Sequence, residues 1–231
     1  MNWINFKGID SRTITGLLIS ELPPITKPKM RVSETFIDGV DGSFIEELGY
    51  ESYDKTLKIG LTKNYDINQI IKFFSGSGQI IFSNESTKFY NVAIINQIDY
   101  ERLIRFKTAV VKLKTQPYKY LYQEQVQVYN NPTNSITIVN NGLEKSKPLI
   151  KITGSGTIEF KIDNITIFSY TFSENETEVI IDSEKQDAYL GSVLKNRNMN
   201  GEFPILNSGN NVVTWTGTIT KMEVSANSRW L

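Results

Sequence analysis

The sequence contains neither histidine nor cysteine among its 231 residues. Without cysteine, the chain has no disulfide framework, no iron–sulfur cluster, no thiol nucleophile and no cysteine-ligated zinc. Without histidine, it lacks the most common metal ligand and the most common general base at neutral pH. Most of the usual catalytic groups are therefore missing, and we expect no enzymatic activity, no cofactor and no bound metal.

Net charge and long apolar runs are missing as well. The 25 lysines and arginines balance the 25 aspartates and glutamates, which argues against non-specific binding to nucleic acid or to an anionic membrane. The longest apolar runs, such as 16–19, span about four residues, whereas a membrane helix needs ~20. No basic and apolar leader opens the chain. We therefore expect a soluble protein that is made in the cytoplasm.

Alternation of apolar and polar residues is what the sequence has in abundance. Leu57, Ile59 and Leu61 alternate with Lys58 and Gly60, a pattern typical of a half-buried strand. Three more runs are predicted to be strands: 79–82, 89–98 and 103–113.

The last of these runs changes its alternation partway along. Ile104 and Phe106 share one face, whereas further on Val111 and Leu113 are the apolar residues. Two explanations are open, a β-bulge near 109–111 or a strand whose middle is buried on both faces.

One segment has helical periodicity. Four apolar residues recur at helical spacing, and they are Ile67, Ile70, Ile71 and Phe74. Asp66 is a good N-cap, Gln69 could complete a capping box, and Gly76 supplies a stop. The sequence predicts one helix at about 66–75, packed on the neighbouring sheet.

Two segments between strands are expected to be irregular. Residues 22–29 contain three prolines, which remove backbone donors. Residues 38–49 contain the turn signals Asp38-Gly39 and Asp41-Gly42. The turn residues Gly39, Asp41 and Gly42 therefore predict a protruding loop or arm.

Apolar residues on this arm are the candidate interface. They are Val40, Phe44, Ile45 and Leu48. Exposed apolar groups on a projection usually mark a partner surface. The alternative is that they fold back on the body of the protein.

The composition changes near residue 120. Beyond it, short alternating runs are separated by turn signals, and they lie at 136–139, 149–153, 157–162, 165–172, 177–182, 212–216 and 218–225. Asp163-Asn164 suggests a two-residue hairpin turn, and Gly154-Ser155-Gly156 suggests another turn. A β-sandwich is the expected fold of this part. We divide the chain into domains 1–122 and 123–231.

Other clusters are assigned to ordinary structural roles. The basic residues Arg102, Arg105, Lys107, Lys112, Lys114 and Lys119 are read as a solvated strand face. Solvent is also expected around the acidic residues Glu174, Glu176, Glu178, Asp182, Glu184 and Asp187, although the last three could hold calcium. We assign Trp3, Trp215 and Trp230 to the core or to an interface in preference to a sugar-stacking site.

The sequence resembles the distal tail protein (Dit) family of siphophages and prophages of Gram-positive bacteria. In the first half, the similarity lies in 6–9, 36–42, 76–78, 79–83 and 116–118. In the second half, it lies in 139–142, 147–156, 180–184, 201–211 and 229–231. One departure is Val40, where the family more often has arginine, so no role of that side chain is carried over.

The resemblance implies a mainly β subunit of two domains. An N-terminal β domain with one short α-helix would form a hexameric ring, and a C-terminal galectin-like β-sandwich of the jelly-roll type would lie at its periphery. The family joins the tail tube to the tail-tip fibre or lysin protein and often to receptor-binding proteins. The resemblance therefore implies a structural protein located in the phage tail tip of the virion, made in the bacterial cytoplasm.

Two other functions remain open at this stage. The C-terminal sandwich could be a carbohydrate-binding module for host cell-wall saccharide. An enzyme such as a glycosidase is supported only by the presence of carboxylate pairs.

Overall fold

The computed structural model describes residues 1–231 and is built mainly from β-strands. The expectation of a mainly β fold is confirmed. The chain divides into two compact units, residues 1–122 together with Leu231 and residues 123–230. Neither α-helix is long and apolar enough to cross a membrane.

The first unit contains nine strands and two α-helices. In chain order they are β1 Ile4–Phe6, β2 Ile9–Asp10, β3 Leu17–Glu21, β4 Met30–Thr35, β5 Phe44–Tyr50, β6 Tyr53–Leu61, α1 Ile67–Phe73, β7 Gly76–Phe82, β8 Lys88–Ile94, α2 Tyr100–Phe106 and β9 Thr108–Leu121. Seven strands form one antiparallel sheet in the order β2-β1-β7-β8-β9-β6-β3. β4 and β5 pair only with each other.

The alternation in β6 places its apolar residues in the core, as the sequence predicts. Leu57, Ile59 and Leu61 are buried, and the intervening Lys58 is exposed. Successive side chains of a strand point to opposite faces, so one face of the sheet carries the core of this unit.

Helix α1 is the predicted helix, slightly shortened. The carboxylate of Asp66 accepts hydrogen bonds from the backbone N–H of Asn68 and Gln69 at 3.0 and 3.2 Å. The Gln69 side chain accepts from the Thr15 N–H at 2.8 Å, so the predicted capping box does not form. Ile70 and two phenylalanines, Phe73 and Phe74, are buried, whereas Ile71 is exposed.

Helix α2 overturns the strand prediction for 103–107 and the expectation of a single helix. Its N-cap is Asp99, whose carboxylate accepts from the Arg102 N–H at 2.8 Å. Lys107 ends it in the left-handed conformation, at φ 58°. Ile104 and Phe106 are therefore exposed on a helix and do not lie on a core-facing strand.

Both explanations for the changed alternation are wrong. β9 begins only at Thr108 and pairs with β6 in continuous register from Thr108 to Thr115. Ala109 and Val111 are buried and Val110 is exposed, so the strand has neither a bulge near 109–111 nor a middle buried on both faces. The changed alternation marks the end of α2.

A buried ionic cluster lies beside the core of the first unit. Lys119 Nζ lies 2.8 Å from Glu85 Oε1, and the Tyr90 hydroxyl donates to the same carboxylate. Burial raises the pKa of Glu85, but the hydrogen bonds from Lys119 and Tyr90 outweigh it and leave the pKa below its usual value. Lys119 is thus a buried partner, which corrects its assignment to a solvated face. Arg102 and Arg105 lie on α2, not on a strand.

Lys55 belongs to the same cluster. Its Nζ donates to the Pro24 carbonyl at 2.8 Å. Desolvation lowers the pKa of Lys55 to about 8, although the charge of Glu85 opposes this shift. The bond ties the proline-containing segment 22–29 to the sheet.

The second unit contains only strands and a 3-10 turn. In chain order the strands are β10 Gln127–Asn130, β11 Ser135–Asn140, β12 Leu149–Ile162, β13 Ile165–Thr171, β14 Glu178–Asp182, β15 Asp187–Leu190, β16 Val193–Leu194, β17 Met199–Gly201, β18 Gly209–Ser225 and β19 Arg229–Trp230. The 3-10 turn is Asn196–Asn198.

Two long strands, β12 and β18, extend from one end of this unit to the other. The first part of β12 pairs with β14, the last part pairs with β13, and β18 pairs along both. The register shifts around Gly154 and Ser155, so the predicted turn at 154–156 is an irregularity within one strand. Buried side chains from both parts of β12, such as Ile152 and Phe160, share one core with Trp215.

The two-residue hairpin turn predicted at Asp163-Asn164 is confirmed. It joins β12 to β13, with φ of 49° and 66° at the two residues. Two successive left-handed residues are the geometry of a type I′ turn, whose twist matches that of the flanking strands.

Glu176 is buried, which corrects the assignment of this glutamate to solvent. Its carboxylate accepts from the Tyr170 hydroxyl at 2.6 Å, from the Ser173 N–H at 3.1 Å and from Lys195 Nζ at 3.3 Å. Asp182 is also buried, and it accepts from two backbone N–H groups of the turn that follows it.

We expect Glu176→Ala to lower the free energy of unfolding by ~2–4 kcal/mol, because the buried Tyr170 hydroxyl and Lys195 lose their partner. Glu174 is exposed, so Glu174→Ala is the matched control and should change the free energy of unfolding by less than about 0.5 kcal/mol. Urea unfolding of both variants measures the difference, and equal stabilities would contradict the role of Glu176.

A second prediction concerns Lys55 and pH. The pKa of Lys55 is about 8 in the folded chain against 10.5 without burial, so between these values the folded chain binds fewer protons at this position than the unfolded chain. Stability should therefore rise with pH in this window, by at most about 1.4 kcal/mol per pH unit, and Lys55→Met should remove that rise.

Urea unfolding at several pH values within the window measures this dependence. Lys58→Met, at an exposed position on the same strand, leaves the buried cluster intact and is the control. A Lys55→Met variant that keeps the full rise would contradict the assignment.

Candidate assembly surface

β4 and β5 form a hairpin outside the main sheet, and we call residues 30–50 the arm. The two strands pair from Met30 with Tyr50 to Thr35 with Phe44. The sequence predicts an irregular loop over 38–49, whereas the structure has a strand from Phe44 onward. The arm is therefore an ordered ribbon.

The ribbon exposes apolar side chains on both faces. Phe44 and Ile45 are each 62 % exposed, and as successive residues of a strand they point to opposite faces. Val32 is also exposed, and it lies opposite Glu47 on the face of Ile45. Leu48 is exposed where the register shifts. These side chains do not fold back on the body of the protein.

The tip of the arm carries the predicted turn. Gly39 and Gly42 have φ of 82° and 89°, which L-residues rarely adopt, and the Val40 N–H donates to the Ile37 carbonyl at 3.1 Å. Asp41 is exposed between them. Val40 and Ile37 are exposed, so the tip is apolar as well.

Charge on the arm has mainly one sign. Between residues 31 and 48 there are five carboxylates and one guanidinium. The guanidinium belongs to Arg31, which donates to the Leu48 carbonyl at 3.0 Å, within the arm. The carboxylates are left without a cation in the arm, so the arm is an acidic and apolar projection.

The base of the arm is held to the first unit. The Tyr50 ring packs edge-on against Tyr118, with centroids 6.1 Å apart, and Lys27 Nζ lies 5.7 Å from the same ring. The Glu51 N–H donates to the Lys29 carbonyl at 2.9 Å. These contacts and the Lys55 bond to Pro24 fix the point at which the arm leaves the unit.

The second unit has a polar cleft on its surface. The cleft has a volume of about 330 Å³, and its lining residues are Ser169, Thr171, Ser173, Arg197, Asn198, Met199 and Asn200. No aromatic ring lines it, and Trp215 is buried in the core. The ring on which a sugar would stack is therefore absent from this cleft.

Sequence reasoning misses several exposed apolar residues. Phe36 and Ile37 lie within the arm, Phe106 is the last residue of α2, and Ile95 directly follows β8. The signal for α2 is present in Asp99, an N-cap residue directly before a segment of good helix formers.

No family model matches the sequence, and no curated protein has a significantly similar sequence. The fold, however, is similar to that of the phage SPP1 Dit protein (gp 19.1), described as a paradigm of the hub adsorption apparatus in phages that infect Gram-positive bacteria. The identity is 14 %, all of both chains is covered, and the TM-score is 0.72.

A chain of the phage P2 baseplate, in its activated conformation with calcium, is also similar. It is 8 % identical, 99 % of each chain is covered, and the TM-score is 0.50. The chain thus has, over its whole length, the fold of a phage distal tail protein.

Proposed function

We propose that this chain is a structural subunit of a phage tail tip. It forms a hexameric ring that joins the tail tube protein to the tail-tip fibre or lysin protein and, at its side, to receptor-binding proteins. The observation that carries the proposal is the arm, whose apolar side chains are exposed on both faces. The fold shared with a hub protein along the whole chain supports it.

The physics of ring closure supports the same role. A head-to-tail contact repeated by rotation closes into a ring, and it needs a projection and a separate surface that receives it. A two-stranded ribbon is marginally stable by itself in water, so the arm gains most from a partner that covers it. The main sheet provides the rigid base.

The two units would have different tasks. Residues 1–122 carry the arm and would build the ring. Residues 123–231, which we interpret as a galectin-like sandwich, would lie at the periphery. A catalytic role has no support from the composition, which lacks histidine and cysteine. The site of action would be the virion.

Particle size tests the proposal directly. Light scattering and negative-stain microscopy of the purified chain, over a range of concentrations, should show rings of defined size. A chain that stays monomeric at the highest concentration would overturn the proposal. Binding of the full chain to a cell-wall glycan array, without assembly, would favour the carbohydrate-binding alternative.

Within the ring, the arm is the predicted contact. The double variant Phe44→Asp/Ile45→Asp should weaken association by roughly 30-fold or more, equivalent to about 2 kcal/mol, because it removes apolar contacts and adds charge on both faces. Sedimentation measures the association.

The control is Leu143→Asp, since Leu143 is also highly exposed but lies in the second unit. Circular dichroism should show unchanged strand content in both variants. Intact rings from the Phe44→Asp/Ile45→Asp variant would remove the arm from the contact.

A further inference from the structure

An open cavity of about 380 Å³ lies beside helix α1 in the first unit, and we call it the α1 cavity. Three of its lining side chains are apolar, namely Ile9, Ile14 and Phe73. Ile14 and Phe73 belong to the core of the unit, whereas Ile9 is 46 % exposed. Because an apolar cavity of ~150 Å³ is large enough to hold benzene, the α1 cavity has room for an aromatic side chain.

The α1 cavity has a net positive charge. The only charged groups that line it are the ammonium groups of Lys7 and Lys72, and neither of them forms an ion pair. The carboxylate nearest to Lys7 along the chain, that of Asp10, is in a salt bridge with Arg12. Asp66 caps the opposite end of α1 from Lys72. The cavity therefore combines apolar surface with cations that have no carboxylate partner.

Lys7 is held in a defined position at this cavity. Its Nζ donates to the Ser75 carbonyl at 2.6 Å. Its aliphatic stem lies over Gly78, where an added Cβ would be only 2.5 Å from Lys7 Cγ. A cation that is already ordered loses less conformational freedom when an anion binds beside it. Lys72, in contrast, is exposed and can reach out to an anion.

One face of the arm has the complementary pattern. Phe44 and Glu46 are two residues apart on β5, so they point to the same face and lie about 7 Å apart. Both side chains are exposed. Across the ribbon, Phe44 pairs with Thr35 and Glu46 pairs with Ser33, so neither faces a cation on β4. This face presents an aromatic ring beside a carboxylate.

We propose that the α1 cavity receives the arm of a second copy of this chain. The Phe44 ring would enter the cavity and contact Ile9, and the Glu46 carboxylate would face Lys72. The inference rests on the proposed function and names the surface that receives the arm. In the single chain, Phe44 is 62 % exposed and Ile9 is 46 % exposed, so the arm does not fill the cavity of its own chain.

The charges also favour one symmetry of contact. Between residues 31 and 48 the arm has five carboxylates and one guanidinium, so two arms facing each other would bring carboxylates together. Two α1 cavities would bring ammonium groups together. Like charges in contact oppose association, whereas complementary charges favour and orient it. Contact between the arm and the cavity is therefore favoured, and this is the head-to-tail arrangement that a ring requires.

Reversal of one charge on each side, singly and together, tests the contact. Glu46→Lys and Lys72→Glu should each weaken association at least about fivefold in sedimentation, because each places like charges in contact. The combined variant Glu46→Lys/Lys72→Glu should associate nearly as well as the wild type, because the attraction is restored with its sign exchanged.

The arm provides a matched control. Glu47 follows Glu46 on β5 and points to the opposite face, so Glu47→Lys makes the same charge change away from the cavity. Glu47→Lys should weaken association less than Glu46→Lys does. Glu47→Lys/Lys72→Glu should remain at least as weak as Lys72→Glu alone, because the new lysine does not reach the new glutamate.

A covalent test does not depend on charge. Because the chain has no cysteine of its own, the variant Ile9→Cys/Phe44→Cys should give disulfide-linked oligomers larger than a dimer on oxidation. Either single variant has one thiol and should give dimers at most. Circular dichroism should show unchanged strand content in all of these variants.

The outcomes separate this inference from the proposed function. A wild-type chain that never assembles overturns both. A chain that assembles, is weakened by Phe44→Asp/Ile45→Asp and is not weakened by Lys72→Glu overturns only the inference, and the ring proposal stands. Failure of Glu46→Lys/Lys72→Glu to recover, together with no linked oligomers larger than a dimer, also overturns only the inference.

Discussion

A two-stranded ribbon with apolar side chains on both faces cannot bury them within its own chain. This constraint shapes the first unit. Phe44 and Ile45 point to opposite faces of β5, so packing one face on the main sheet would still leave the other exposed. In the proposed ring, contact with a neighbouring molecule would cover these side chains, and the arm would join one subunit to the next.

The base of the arm is held to the first unit by two kinds of contact. The Tyr50 ring packs on Tyr118, and the buried Lys55 ammonium donates to the Pro24 carbonyl in the preceding segment. Removing the ammonium from water is unfavourable, and this burial lowers the pKa of Lys55. Glu85 and Lys119 nearby form a hydrogen-bonded ion pair, which makes a buried polar cluster tolerable at this position.

The second unit is held together by one core that runs through it. Both parts of the long strands β12 and β18 contribute side chains to this core, so each strand links the two ends of the unit. The buried carboxylate of Glu176 joins Tyr170 to Lys195. The cleft on the surface of this unit is polar.

Local patterns determine the parts of the structure that depend on nearby residues. The mainly β fold, the α1 helix beginning after Asp66 and the Asp163-Asn164 turn are predictable because capping, spacing and backbone preference act over a few residues. The turn signals also predict the arm, although they do not predict its strand β5. The absence of histidine and cysteine is read directly from the sequence.

Tertiary structure decided what depends on distant partners. Alternation over a few residues does not separate a strand from an exposed helix, so the pattern assigns Ile104 and Phe106 to a core that they do not join. The sequence pattern around Glu176 predicts a solvent-exposed side chain, because its partner Lys195 lies 19 residues away and is not part of that pattern. Local residue preferences account for many of the strands and turns, whereas packing between distant residues sets which side chains are covered. The reason is that the burial of a side chain depends on all the residues that pack around it, most of which are distant in sequence.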